Sequence, residues 1–208
     1  MTQNTTADPE QIKRYLYAED LPSPLWDDVC ALNPEVVRQR AQVGWRDGYV
    51  IPFLGRDYVV RPDSRIIEHP SARPVSFQAG LIMLDYLIHA SDDGLSGRMV
   101  TARELNGGDL FFQGPHALMT APVIERFERD AAGMVELARA YGATPAQGGD
   151  ASFRLLALPK ILLMYTLHQA DDEFPAELTI TFDANTDRHL PLDAIWALVN
   201  LLSGRLGR

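Results

Sequence analysis

The side chains best equipped for chemistry are oxygen ligands near the C-terminal end. Asp171, Asp172, Glu173, Asp183, Asn185, Asp187 and Asp193 form the densest such cluster in the chain. Asp183-x-Asn185-x-Asp187 begins like a calcium loop, in which alternating oxygens wrap a hard cation. The pattern then fails. Arg188 stands where such a loop needs glycine for its sharp turn, and Ala194 where it needs a bidentate glutamate. A metal ion or an acid–base site would draw on Asp172, Glu173, Asp183 and His189, and the acidic turn would have to fold back towards the last helix. The plain alternative is a solvated turn whose carboxylates serve helix capping and the helix dipole.

The histidines offer a second chemistry. Asp85 and His89 are four apart in a helical pattern, so they share one face, and a carboxylate there could fix an imidazole tautomer for proton transfer or ligation. They also lie, with Gln78, on that helix's polar stripe, which fits a solvent-facing strip equally well. His116 follows Gly114-Pro115 at an expected helix start, with Met119 one turn on. Such a His/Met set is known as axial ligation of a tetrapyrrole metal, although two residues so close cannot serve opposite faces of one macrocycle. His168 reads as a strand-end core residue, His189 as a cap for the last helix, and His69 as part of a proline-bracketed loop. Cys30, between Val29 and Ala31-Leu32, reads as a buried, inert thiol.

Other chemistries are disfavoured. No Gly-x-Ser-x-Gly elbow, phosphate loop, dinucleotide fingerprint or HExxH is present. With Lys and Arg at 19 against 28 Asp and Glu, the net charge of −9 argues against nucleic acid or an anionic membrane surface as partner. The apolar runs fall well short of the roughly 20 residues of a membrane span, and the N-terminus shows no secretory pattern. A single cysteine precludes an internal disulfide and points to a reducing cytoplasm.

The elements that must position these groups follow from periodicity. Residues 1–7 are polar and expected to fray, and helices are expected near 9–18, 24–32 and 34–42, each opened by a polar cap ahead of a proline. A hairpin is expected from 49–54 and 58–61 around Gly55-Arg56-Asp57, with a short edge strand near 65–68. Residues 76–90, apolar around most of their circumference, belong at the centre of a fold. Two further helices are expected at 115–129 and 131–141, the second closed by Gly142 in a left-handed conformation. Residues 142–150 read as a loop. Strands at 153–158, 161–168 and 177–183 come next, the first two more central because more continuously apolar. A helix from Pro191 presents Leu192, Ile195, Trp196, Val199 and Leu202 to that sheet. The whole reads as one α+β domain over 1–208. It has a helical segment at 1–45, a hairpin region at 46–75 and a core at 76–208, built on a small, mainly antiparallel sheet with covering helices. In the connection before the last strand, Phe174 is expected to plug the core while Pro175 stiffens re-entry, so that Phe174→Ala would cost roughly 3–5 kcal/mol.

Leu84-Asp-Tyr-Leu87, the run GRMVTARELNGG from Gly97, Gly149-Asp150-Ala151, Leu158-Pro159, Asp172-Glu-Phe-Pro-Ala176, Phe182-Asp183 and His189-Leu-Pro-Leu-Asp193 carry a family resemblance. From about residue 84 to the end, the chain resembles a prokaryotic family known as domain of unknown function three thousand seven hundred and eighty-six, and the stretch before it resembles the family more weakly. The resemblance brings no activity. Some members, mostly from anaerobes, look like fusions to a four-cysteine iron–sulfur segment similar to that of corrinoid iron–sulfur proteins. It therefore implies work near redox cofactors or one-carbon and corrinoid metabolism, with a redox or corrinoid protein as partner. Cys30 alone cannot hold such a cluster. Three readings stay open: a non-enzymatic module for a small cofactor such as a tetrapyrrole or corrinoid, an enzyme built on the Asp172/Glu173/Asp183/His189 set, and an interaction subunit using the hydrophobic hairpin.

Overall fold

Period-two patterning sorts residues 16–208, those described by the computed structural model, into two antiparallel sheets with helices packed around them. The first sheet pairs β1 (Gly44–Trp45), β2 (Tyr49–Phe53), β3 (Arg56–Arg61) and β4 (Ile66–Glu68) in that order. The second contains β5 (Met99–Thr101), β6 (Thr144–Ala146), β7 (Ala151–Leu158), β8 (Ile161–His168) and β9 (Glu177–Asp183), in the order β5-β9-β8-β7-β6. The α+β class expected from the sequence holds. The strands are divided between two sheets, and β6 occupies part of the stretch read as a loop.

The second sheet shows how pattern becomes packing. β8 buries Ile161, Leu163, Tyr165 and Leu167 on one face. Tyr165 stacks on Phe153 of β7 with ring centroids 4.9 Å apart. Its hydroxyl meets Ser203 Oγ at 3.1 Å, so the one polar atom brought inside is partnered. Burying each large apolar side chain of this face contributes about 1.5–3 kcal/mol. The other face, Leu162, Met164 and Thr166, is half-buried, and His168 is exposed rather than part of the core. β8 is central, and β7 and β9 flank it equally, so the cleanly alternating β9 is no nearer the edge than β7.

The helices are α1 (Ser23–Cys30), α2 (Pro34–Ala41), α3 (Phe77–His89), α4 (Gly108–Phe111), α5 (Ala121–Phe127), α6 (Ala131–Ala138) and α7 (Leu192–Leu206). As its composition demands, α3 is buried almost throughout, packed against α1, α2 and α7. Asn33 caps α2 by accepting from Glu35 N and Val36 N, and Ser76 caps α3 by accepting from Ala79 N. Gly142 ends the turn after α6 at φ +85°, the left-handed position its lack of a Cβ permits.

Several expectations are corrected. Residues 1–7 and most of the helix expected near 9–18 lie outside the described residues; at its described end Leu16 and Tyr17 are not helical, Tyr17 forming a bridge with Ser76, and a 3-10 turn follows at Ala18–Asp20. At α1 the cap position is Pro22, and Ser23 makes no capping bond. The helix expected at 115–129 is broken into a 3-10 turn at Gly114–His116 and α5. Pro122 explains the break: inside one long helix its ring would press on the carbonyl of Leu118, whereas at the first turn of α5 it is tolerated. Cys30 is exposed, because α1 turns Trp26 and Val29 inward and Cys30 away. Phe174 is 66% exposed and plugs nothing. Its turn is held instead by Asp171, whose carboxylate accepts from the N–H groups of Glu173 and Phe174.

The two sheets meet at the tip of the β2–β3 hairpin. Leu54 N donates to the Ala157 carbonyl at 3.0 Å. Gly55 sits at φ +73°, and a Cβ there would come within 2.7 Å of the Tyr141 backbone. This close approach sets the start of β3 beside the loop 69–76 and the last turn of α7. Among the described residues no helix is long and apolar enough to cross a membrane.

Candidate functional site

The structure separates the acidic set proposed from the sequence. Asp172 and Glu173 lie exposed before β9 begins, and Asp183 ends it. Six strand intervals put about 20 Å between the two ends. Among the described residues no group of three His, Cys, Asp or Glu side chains is placed to hold a metal.

Asp183 and His189 do share a neighbourhood, and it is a buried one. The fully buried Asp183 carboxylate accepts from Ser96 N at 2.9 Å, Gly97 N at 2.8 Å, Asn185 N at 3.0 Å and Ser96 Oγ at 3.0 Å. Burial alone would raise its pKa. The hydrogen bonds from Ser96, Asn185 and Gly97 outweigh that and hold it below the usual carboxylate range. His189, also fully buried, accepts the Ser91 N–H at Nδ1. Burial, with Lys160 nearby, pulls its pKa down and keeps the ring neutral. Lys160 Nζ donates to the Ser91 carbonyl at 2.8 Å, and Arg188 reaches Asp93 at 3.1 Å. Together these bonds pin the loop that follows α3 to the turn that follows β9 and, through Lys160, to the turn between β7 and β8. The oxygens of Asp183 already accept four hydrogen bonds, and His189 is sealed from solvent, so the arrangement is that of a fastener.

The other predicted pair and set are placed as follows. On α3, Asp85 is buried and His89 exposed, and His89 Nδ1 meets the Asp85 backbone carbonyl at 3.0 Å, not its carboxylate. Burial first, and Asp193 second, raise the Asp85 pKa to about 6. His116 is exposed, stacked on Phe111 with centroids 4.6 Å apart and edge-on to Trp196. Met119 lies beyond the 3-10 turn, with its N–H given to Asn200 Oδ1. These two no longer share a helix.

A site the sequence reading missed opens where the sheets meet. Arg56 and Tyr58 of β3, His69, Arg73 and Ser76 of the loop before α3, Tyr141, and Arg205 and Arg208 at the end of α7 line a cleft of about 380 Å³. No lining residue carries an acidic side chain. Among the described residues none of the four guanidiniums forms an ion pair, which is true also of Arg40, Arg46, Arg98, Arg103, Arg126 and Arg154; what sets the four apart is that they line one cleft. Ser71 N donates to His69 Nδ1 at 2.9 Å, which leaves the proton of the neutral ring on Nε2 as a donor. Partial burial, then Arg56, Arg73 and Arg205, lower the His69 pKa. Burial raises that of Tyr58, against the pull of Arg205 and Arg56. Of these residues the sequence offers His69 only as a loop histidine and Arg56 only as part of a hairpin turn. The remaining signal, four arginines scattered between positions 56 and 208 of an acidic chain, becomes a site only through the fold.

A family model described as Domain of unknown function (DUF3786) matches residues 33–205, most of the chain, and the chain belongs to that family. The match begins well before the stretch whose motifs carry the resemblance most clearly. No curated protein and no solved structure matches the chain.

Proposed function

We propose that this member of the family is a binding module for a small anionic molecule, taken up in the arginine-lined cleft. The observation that carries the reading is the gathering of four guanidiniums in one cleft, where among the described residues no carboxylate pairs with them. Like charges gathered around a concave surface repel one another, and a bound anion relieves that repulsion while meeting several N–H donors at once. At about 380 Å³ the cleft is within the range of small-ligand sites. The acidic remainder of the surface does not cancel this local field, since charges farther than about 8 Å are largely screened at physiological salt.

This reading keeps the non-enzymatic cofactor module expected from the sequence and moves its site away from His116. A tetrapyrrole belongs to the class through its propionate carboxylates and a corrinoid through its nucleotide-loop phosphodiester, and a redox or corrinoid enzyme would be the natural recipient, in the cytoplasm that the lone cysteine suggests. Among the described residues His69 makes no hydrogen bond to the hydroxyls of Ser76, Tyr58 or Tyr141, which favours binding over turnover.

Native mass spectrometry of protein purified from its own host tests the proposal. The expected result is a retained small anion that is lost in an Arg56→Glu/Arg73→Glu variant. A clean apo mass, together with no thermal response to phosphates, sulfate or carboxylates, would contradict it.

A further inference from the structure

We propose that the anion taken by the cleft is a phosphate ester, so that the module's ligand is a phosphorylated small molecule; this rests on the anion-binding reading above. Charge count is the first argument. A monocarboxylate would offset one guanidinium of four, whereas a phosphate monoester carries about −1.5 to −2 at neutral pH and offsets nearly twice as much.

Shape is the second argument. The positive groups stand on three separate elements: Arg56 on β3, Arg73 in the loop before α3, and Arg205 and Arg208 at the end of α7. A carboxylate offers two oxygens in one plane and suits one bidentate arginine. Three terminal phosphate oxygens, tetrahedrally spread, can face all three walls at once.

Donor chemistry is the third. The guanidiniums offer only N–H groups, and His69 holds its acceptor nitrogen on Ser71 N. Ser76 Oγ already accepts from Ala79 N, leaving its own O–H to donate, and Tyr58 and Tyr141 carry further hydroxyls. A group made of acceptor oxygens matches such a wall; a cation or a neutral donor does not. Leu54, Val75 and Ala79 supply the cleft's apolar portion, which would lie against the body of the ester.

Isothermal titration of the full chain with inorganic phosphate, glycerol 3-phosphate and acetate at matched ionic strength tests the inference. Both phosphates should bind at least about tenfold more tightly than acetate. Arg56→Gln/Arg73→Gln should weaken them by about tenfold or more at unchanged melting temperature, because both side chains are exposed, and Arg73→Lys should retain part of the affinity. Equal binding of acetate and the phosphates would overturn the phosphate class while leaving the anion cleft standing. Binding of none of the three would overturn both, and phosphate binding unaffected by the double glutamine variant would place the anion elsewhere and overturn the inference.

Discussion

Around Ser91 and Ser96 the charged groups of this protein are partnered, with Asp183 and Lys160 buried and the Arg188–Asp93 pair at the surface; between β3 and the end of α7 four arginines stand open with no ion-pair partner among the described residues. In the first region Asp183 accepts three backbone N–H groups, Lys160 holds a carbonyl and Arg188 holds Asp93. In the second, four arginines face a common space with no acidic side chain among them. The contrast separates two uses of charge. A buried ionised group must be matched within the fold or it destabilises the fold. An exposed set left unmatched is tolerated because water solvates it, and it remains available for a ligand.

The sharpest break of this comparison comes from the fastener. Asp183→Ala would leave three backbone donors unanswered in a buried site and should lower unfolding free energy by roughly 3–5 kcal/mol, read by urea denaturation. Phosphate affinity of the folded fraction should not move.

Asp85 provides the next effect, with the opposite sign. The folded state keeps its proton up to about pH 6, while the unfolded state releases it near 3.8. The folded state therefore binds more protons in that window, so this group's contribution falls as pH rises through it and stays unfavourable above. Asp85→Asn should stabilise the protein at pH 7 by about 3 kcal/mol, an effect that fades to nothing below pH 3.8. His189 behaves inversely: its folded pKa is lowered, so the stability it lends is complete above its unfolded value of 6.5 and declines as pH drops below it. His189→Gln should flatten that decline in a stability-versus-pH series.

In the cleft, changes should act on binding and not on folding. Arg56→Gln/Arg73→Gln should cost about 1.4 kcal/mol or more of phosphate affinity, equivalent to the tenfold loss, with little change in melting temperature. The smallest effect belongs to Phe174→Ala, which should change stability by no more than about 0.5 kcal/mol because the ring is exposed.

How much of this was legible beforehand depended on the length and locality of each signal. The strand β9 and the buried helix α3 declare themselves over 7 and 13 residues, and both stand where periodicity places them. β1, β5 and β6 have two or three residues, too few to show a period, and owe their pairing to longer neighbours. Phe174 and Cys30 mislead for one reason: an apolar neighbourhood in sequence does not say which way a turn or a helix aims a given side chain. The acidic run attracted a metal reading because its residues are close in sequence, yet β9 separates its halves. The arginine cleft is the converse, since Arg56 and Arg205 are distant in sequence and brought together by the hairpin tip resting on Tyr141.

The most direct test of the cleft is ¹⁵N NMR of arginine and histidine side chains during titration with inorganic phosphate. Saturable shifts confined to Arg56, Arg73, Arg205, Arg208 and His69 are expected. Shifts spread evenly over arginines elsewhere on the surface, or none at the cleft, would contradict anion binding there.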